Sequence, residues 1–158
     1  MPVSPRSTEQ IRRLVASDAV SLHELDRLGN PSPWSVAQYR QSLESGDFGL
    51  AIDAESQLLA YALFNRVLDE VTLLNIGVRP EARRRGYARR LLHEGFAELQ
   101  VEGVTRCLLE VRESNTAAIA LYRALGFRID GVRRGYYPLA QGREDGLLMS
   151  VTLAQSAP

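Results

Sequence analysis

The stretch Leu73-Leu-Asn-Ile-Gly-Val-Arg-Pro-Glu-Ala-Arg-Arg-Arg-Gly-Tyr-Ala-Arg-Arg-Leu-Leu92 decides how this chain is interpreted. It begins as a short apolar run typical of a β-strand, crosses a basic turn that contains Gly86, and continues as an amphipathic helix. A strand that leads through a glycine turn into a helix presents free backbone N–H groups and the positive end of the helix. Those groups suit a phosphate-bearing ligand, and the neighbouring arginines strengthen that preference.

The same arginines also fit a solvated charge cluster or a basic patch for nucleic acid. A P-loop is excluded because it needs Gly-Lys-Ser/Thr and the chain contains no lysine. A dinucleotide fingerprint is excluded as well, because only one glycine lies in the turn. The pattern alone leaves the phosphate interpretation and the surface-cluster interpretation both open.

Length and composition restrict the class of protein. A chain of 158 residues with 45% hydrophobic content can bury one core, so we expect a single domain over 1–158 with a loose tail at 1–10. The 19 basic residues, all arginine, balance 19 acidic residues, which argues against direct nucleic-acid binding. Cys107 is the only cysteine, so no intrachain disulfide can form and a reducing compartment is expected.

Several kinds of chemistry are disfavoured by counting. His23, His93 and one cysteine give no usual zinc-ligand spacing, so no metal is expected. No Gly-x-Ser-x-Gly elbow is present, which disfavours a covalent acyl-enzyme. No run of 18 apolar residues exists, and the N-terminus lacks the apolar core of a signal peptide. We therefore expect a cytoplasmic protein without a membrane contact, either a monomer or a weak dimer.

Hydrophobic periodicity predicts strands and helices that alternate mid-chain, with hairpins at both ends. The predicted strands cover residues 11–15, 48–52, 58–67, 71–78, 105–112, 127–132 and 146–153, the last two joined through Tyr136-Tyr-Pro138 and a Gln141-Gly142 turn. Four helices are predicted. The second covers residues 34–44 and the fourth covers residues 117–125. The first and third are indicated by apolar stripes, at Val20, Leu22, Leu25 and Leu28 and at Ala88, Leu91, Leu92, Phe96 and Leu99. Ser17 or Asp18 is expected to cap the first helix, and Ser114 or Asn115 the last. This order implies an α/β fold with a mixed sheet flanked by helices.

Two side chains are candidates for acid–base chemistry. Glu110 lies within an apolar strand, where a carboxylate is costly unless it is paired or faces a cleft. Glu110 is therefore either the ion-pair partner of an arginine such as Arg112, next on the same strand face, or a general base. Tyr122 shares a helix face with Asn115 and is either a packing residue or a proton donor to a departing thiolate.

A family resemblance covers about residues 26–153. Arg83-x-x-Gly86-x-Ala88 resembles the Arg/Gln-x-x-Gly-x-Gly/Ala signature with which GNAT N-acetyltransferases hold the pyrophosphate of acetyl-CoA. Leu109-Glu-Val-Arg-Glu-Ser-Asn-Thr-Ala-Ala-Ile-Ala-Leu-Tyr-Arg-Ala-Leu-Gly-Phe127 is similar to the catalytic strand and following helix of the RimI group, the ribosomal-protein-alanine N-acetyltransferases. Residues 33–35, 67–78, 133–138 and 142–145 match the same group.

The resemblance implies a GNAT fold, with a mixed, mostly antiparallel central sheet and acetyl-CoA in the splay between two central strands. It implies Glu110 as proton acceptor and Tyr122 as proton donor. The implied cofactor-binding residues are Ile76, Gly77 and Val78 for the pantetheine arm, Arg84, Arg85, Gly86, Tyr87, Ala88 and Arg89 for the pyrophosphate, and Asn115. Gly77 and Ala88 depart from the residues usual in the group, which have alanine and often glycine there. Gly77 is thus expected to loosen the strand beside the acetyl group.

The acceptor implied by the resemblance is the N-terminal alanine of a ribosomal small-subunit protein. Tyr136 and Tyr137 would line the groove for this peptide, and Asp26, Asp69 and Glu70 are the carboxylates expected to meet a basic N-terminal segment. The alternative within the superfamily is another protein N-terminus or a small amine. A different class of hypothesis is a non-catalytic module that binds a ribosome or nucleic acid through its arginines.

Overall fold

The computed structural model describes residues 9–153, which form a seven-stranded sheet and flanking helices. The strands are β1 (Glu9–Arg13), β2 (Phe48–Ala54), β3 (Gln57–Val67), β4 (Glu70–Val78), β5 (Arg106–Arg112), β6 (Arg128–Pro138) and β7 (Arg143–Thr152). The α-helices are α1 (Ala19–Asp26), α2 (Val36–Glu44), α3 (Tyr87–Val101) and α4 (Thr116–Ala124). The strand order in the sheet is β1-β2-β3-β4-β5-β7-β6.

The sheet mixes strand directions. β1–β2, β2–β3, β5–β7 and β6–β7 are antiparallel, whereas β4 and β5 are parallel and pair through Glu70–Arg106, Val71–Cys107 and Thr72–Leu108. A parallel pair needs a crossover connection, which α3 supplies between these two strands. The α/β fold class predicted from the sequence, a mixed and mostly antiparallel sheet with helices, is confirmed.

The described chain forms two compact units. Unit 1 contains residues 9–65 and Leu74–Glu98, and unit 2 contains Arg66–Leu73 and residues 99–153. The single domain expected over 1–158 stays a prediction. Of the loose tail expected at 1–10, residues 1–8 lie outside the described residues, and Glu9 and Gln10 instead belong to β1, where they pair with β2.

The core of unit 1 lies between the sheet and its helices. Leu22, Tyr39 and Leu63 are fully buried in one apolar cluster that joins α1, α2 and β3. α3 comes close to the sheet at Gly95, where an added Cβ would lie 3.2 Å from the Phe64 ring. The glycine therefore lets the α3 backbone approach β3 more closely than a larger residue would.

Unit 2 shows the alternation expected of a half-exposed strand. Cys107, Leu109 and Val111 of β5 are buried, and the residues between them, Glu110 included, are half-buried on the other face. The Tyr122 ring on α4 lies 5.5 Å from the Phe127 ring, measured between centroids. These contacts place Tyr122 within the apolar layer of this unit.

Local signals in the sequence specify several element ends correctly. The Asn115 side chain accepts a hydrogen bond from the Ala118 N–H at 3.2 Å, so the predicted cap of α4 is confirmed. The predicted hairpin around residues 53–57 is also confirmed, with Glu55 and Ser56 both left-handed at φ 51° and 65°. Two left-handed residues are characteristic of a tight type I′ turn.

Other predicted ends and faces are wrong. Asp18 does not cap α1 through its side chain, because its carboxylate accepts hydrogen bonds from Arg12 and from the Val15 N–H. The α1 stripe is rotated: Leu22 and Leu25 are buried, whereas Val20 and Leu28 are exposed. At the other end of the chain, residues 136–138 continue β6 instead of forming a connection, since Tyr137 pairs with Glu144 across the last hairpin.

Candidate active site

The basic turn before α3 has the backbone shape of an anion-binding loop. Arg84 and Gly86 are both left-handed, at φ 65° and 77°. The Arg90 N–H donates to the Gly86 carbonyl at 3.0 Å, which begins the hydrogen bonding of α3. The N–H groups of residues 87–89, in the first turn, therefore have no carbonyl partner within the helix. A concave run of such N–H groups at the positive end of a helix attracts anions. The geometry therefore fits a phosphate, and an added Cβ at Gly86 would meet only open space.

The side chains of this turn divide into outward and inward groups. Arg84, Arg85 and Arg89 are exposed. Tyr87 is buried, and its hydroxyl donates to Glu9 at 2.5 Å, which raises the pKa of Tyr87 and ties α3 to β1. Arg83 turns back to the protein, where its Nε donates to the Val78 carbonyl at 3.4 Å. The backbone, rather than the Tyr87 side chain, is what this position offers to a ligand.

The end of β4 is a half-buried strand segment that packs tightly from one side. At Gly77, an added Cβ would lie 2.7 Å from the Tyr61 ring and 2.9 Å from a Leu25 methyl. An alanine here would force the Tyr61 ring or the Leu25 side chain to move, so Gly77 allows close packing and leaves no methyl-sized gap. Ile76 and Val78 on either side are half-buried as well.

The ion pairs of β5 differ from the predicted one. Arg112 does not pair with Glu110; it pairs with Glu144 at 3.0 Å, and its guanidinium lies 4.4 Å from the Tyr137 ring centroid. The Arg112 and Glu144 side chains are only 14% and 6% exposed, and Arg112 together with Ser114 lowers the pKa of Glu144. β7 lies beside β5, so it brings Glu144 next to Arg112, and this neighbour cannot be read from β5 alone.

The Glu110 carboxylate lies against Arg133 of β6. Arg133 Nε is 3.2 Å from Glu110 Oε1, close enough for an ion pair but without the alignment of a hydrogen bond. Within residues 9–153, Glu110 Oε1 is buried and accepts no hydrogen bond. Gly146 makes room for it, because an added Cβ there would lie 3.2 Å from this oxygen. A buried carboxylate oxygen with an unused lone pair is chemically able to accept a proton.

Two tyrosines complete the surroundings of Glu110. The Tyr136 and Tyr137 rings are perpendicular, 5.0 Å apart, and Arg133 lies 4.8 Å from the Tyr136 ring centroid. Burial raises the pKa of Tyr137 to about 12, and the negative charge of Glu110 contributes to the rise. Gly135, left-handed at φ 59°, sits in the β6 irregularity that precedes these tyrosines. β5, β6 and β7 thus bring Glu110, Arg133, Tyr136 and Tyr137 together within unit 2.

Tyr122 and Asn115 differ in exposure on α4. Tyr122 is buried, and burial raises its pKa, with the neighbouring Cys107 adding to the effect. A phenol with a raised pKa stays protonated at neutral pH, as a proton donor must. Asn115 is exposed, and its Oδ1 is engaged in the helix cap, so its side-chain N–H groups are the donors that face outward.

The carboxylates predicted to meet a basic peptide are already engaged. Asp26 is 6% exposed and accepts hydrogen bonds from Asn30, the Trp34 N–H and the Tyr39 hydroxyl. Glu70 pairs with Arg106 at 3.1 Å, and exposed Asp69 contacts the Thr105 hydroxyl at 3.3 Å. The burial of Asp26 favours a structural role over direct contact with a peptide. Sequence reasoning missed the roles of Arg133 and Glu144, which no local pattern signals.

Among the described residues, no three histidine, cysteine or acidic side chains are grouped so as to hold a metal ion. None of the helices in residues 9–153 is long and apolar enough to cross a membrane.

The chain belongs to the acetyltransferase (GNAT) family, whose model matches residues 19–127. It is 39% identical to the [ribosomal protein bS18]-alanine N-acetyltransferase of Salmonella typhimurium, over 89% of this chain and 95% of the relative. Its structure is similar to the crystal structure of the ribosomal-protein-S18-alanine N-acetyltransferase from Escherichia coli, with a TM-score of 0.88, 35% identity and coverage of 94% and 96% of the two chains. Arabidopsis thaliana NAA60 in complex with acetyl-CoA shares the fold at a TM-score of 0.79 and 22% identity, over 92% of this chain and 99% of NAA60.

Proposed function

We propose that this chain transfers the acetyl group of acetyl-CoA to the N-terminal alanine of a ribosomal small-subunit protein of the bS18 type. The observation that carries the proposal is the 39% identity to the Salmonella typhimurium enzyme, which extends over 95% of that enzyme. The buried Oε1 of Glu110, which has an ion-pair contact with Arg133 but no hydrogen-bond partner in residues 9–153, supports it chemically, because transfer to an amine requires a group that can accept a proton.

The acetyl-CoA substrate would use unit 1 for its phosphates. A pyrophosphate is negatively charged, and this turn offers it the first N–H groups of α3 beside the left-handed Arg84 and Gly86. The exposed Arg85 and Arg89 add positive charge. The backbone groups of residues 76–78 would pair with the amides of the pantetheine arm, as the family resemblance implies. The family resemblance also implies Asn115 as a cofactor contact, and its exposed side-chain N–H groups are the donors it offers.

Acetyl transfer requires one group that accepts a proton and one that donates a proton, and these are the roles of Glu110 and Tyr122. A peptide α-amine has a pKa of about 7.7–8.0, so much of it is protonated at neutral pH and cannot attack. Glu110 would take that proton, directly or through water, and the amine nitrogen would then bond to the thioester carbon. As the carbon–sulfur bond breaks, Tyr122 would give its hydroxyl proton to the sulfur. Both substrates are held together throughout, so no acetylated enzyme is needed.

Replacing Arg84 with glutamate is expected to raise the Kd of acetyl-CoA at least tenfold. The variant exchanges an attractive charge at the left-handed turn for a repulsive one, and losing a hydrogen bond to a charged group costs about 1.5–3 kcal/mol. Titration calorimetry measures the effect. The control is Arg40→Glu, the same charge reversal at an exposed position on α2 of the same unit. Equal Kd values for the two variants would remove the pyrophosphate assignment.

An alanine-starting bS18 peptide is expected to be acetylated with the highest kcat/KM in a panel of acceptors. The panel contains this peptide, a variant with a bulky first residue, and a small polyamine. A lone amine forgoes contacts with the Tyr136 and Tyr137 surface, so less binding energy is available to position it. A polyamine that surpasses the peptide by a wide margin would overturn the ribosomal assignment and leave an acetyltransferase of small amines.

A further inference from the structure

A buried polar network in unit 1 is not part of the chemistry proposed above. Tyr39 on α2 is at its centre: its hydroxyl lies 2.6 Å from Asp26 Oδ2, 2.6 Å from the Tyr61 hydroxyl and 3.2 Å from Asn75 Nδ2. Tyr39 and Tyr61 are 0% and 1% exposed. The network reaches β4 at Asn75, immediately before the segment assigned to the pantetheine arm.

The Asp26 carboxylate fixes the direction of every hydrogen bond in this network. The Tyr39 hydroxyl donates its single proton to Asp26 Oδ2. The Tyr39 oxygen then accepts from the Tyr61 hydroxyl and from the Asn75 amide. Burial raises the pKa of both tyrosines well above the ordinary value, so both remain neutral and carry no proton away. The network is therefore a fixed scaffold.

This scaffold holds β4 on both sides of Ile76. Asn75 is bonded to the Tyr39 hydroxyl, and Gly77 lies directly against the Tyr61 ring. Alternate residues of a strand point to the same face, so Asn75 and Gly77 contact the two tyrosines on one face of β4 and Ile76 points to the other face. The backbone groups of residues 76–78 are thereby held in place by two tyrosines that are bonded to each other.

The opposite end of the network secures the connection between α1 and α2. Asp26 Oδ2 also accepts from the Trp34 N–H at 3.0 Å, and Oδ1 accepts from Asn30 Nδ2 at 2.9 Å. The Tyr39 hydroxyl thus links two parts of unit 1. On one side it is bonded to Asp26 and so to the α1–α2 connection, and on the other side it is bonded to Asn75 of β4. Removing that hydroxyl cuts the link to β4 and leaves the Asp26 bonds to Asn30 and Trp34 intact.

We propose that Tyr39, oriented by Asp26, is a positioning residue that sets the backbone of residues 76–78 for acetyl-CoA. The inference rests on the proposed function for the identity of this ligand. Tyr39 itself touches no reacting atom. Its effect reaches the ligand through Asn75 and through Tyr61, whose hydroxyl is bonded to Tyr39 and whose ring packs on Gly77.

The test is Tyr39→Phe, which keeps the buried ring and removes the hydroxyl. The Kd of acetyl-CoA by calorimetry and the KM of acetyl-CoA are expected to rise about fivefold, the effect of one lost hydrogen bond. The KM of the peptide should stay within about twofold, because the Asp26 anchors remain. The matched control is Ser42→Ala, which removes another buried hydroxyl of α2, one that donates to Asp47 at 2.6 Å outside this network, and it should leave acetyl-CoA binding close to wild type.

Asn75→Ala provides a second route if Tyr39→Phe folds poorly. It breaks the same link from the β4 side, and its effect on the Kd of acetyl-CoA should not add to that of Tyr39→Phe. Thermal unfolding of all variants separates loss of stability from loss of binding. Unchanged acetyl-CoA Kd in Tyr39→Phe and Asn75→Ala, or an equal rise in Ser42→Ala, would overturn the proposal. Wild-type protein that binds acetyl-CoA but does not acetylate the peptide would instead refute the proposed acceptor and leave the binding comparison valid.

Discussion

Glu110→Gln is expected to lower kcat by about 10²–10⁴-fold, the usual contribution of a positioned acid or base, while acetyl-CoA binding stays close to wild type. Glutamine has nearly the shape of glutamate but cannot take a proton from the α-amine. The buried Oε1 of Glu110, with no hydrogen bond in residues 9–153, is the atom whose basicity the variant removes.

The measurement is single-turnover acetylation of the alanine-starting peptide, with calorimetry of acetyl-CoA as the binding readout. Glu113→Gln is the matched control, because Glu113 is an exposed carboxylate just beyond the end of β5. It should keep normal turnover. If Glu110→Gln also turned over within a few-fold of wild type, with an unchanged melting temperature, Glu110 would be only the ion-pair partner of Arg133.

Features decided by neighbours in sequence were predictable for this chain. The cap of α4 at Asn115, the hairpin of β2 and β3, and the alternation of β5 each depend on a few adjacent residues. The glycine turn before α3 is of the same kind, because a left-handed residue such as Gly86 can be anticipated from a glycine between a strand and a helix. These local signals were sufficient for the element order and the fold class.

Features decided by strand order were not predictable in the same way. Arg112 chooses Glu144 over Glu110 because β7 lies between β5 and β6, and Glu110 is left to Arg133. The sequence suggests that Asp26 is an exposed carboxylate on a helix, yet Asp26 is buried and accepts hydrogen bonds from Asn30, Trp34 and Tyr39. The first outcome depends on residues 32 positions apart, and the second depends on how the α1–α2 connection folds back onto Asp26, so the residue pattern of one element specifies neither.

Tyr122→Phe is expected to lower kcat with acetyl-CoA by about 10²–10⁴-fold, again without weakening the binding of either substrate. The ring that packs on Phe127 is retained, so only the proton for the departing thiolate is lost. Burial raises the pKa of Tyr122, so the hydroxyl stays protonated as the pH rises. The wild-type kcat should consequently show no decline from this group between about pH 7 and 9, below the ordinary tyrosine pKa.

The leaving thiol offers a sharper test of Tyr122 than the rate alone. A thioester whose thiol is more acidic than that of coenzyme A needs less help from a proton donor, so the penalty of Tyr122→Phe should shrink with such a donor. Tyr61→Phe, which removes a buried hydroxyl from unit 1, should show no such dependence on the thiol. A penalty that is the same for both thioesters, or a kcat near wild type, would assign Tyr122 to packing against Phe127, because a residue that only fills space does not distinguish one leaving group from another.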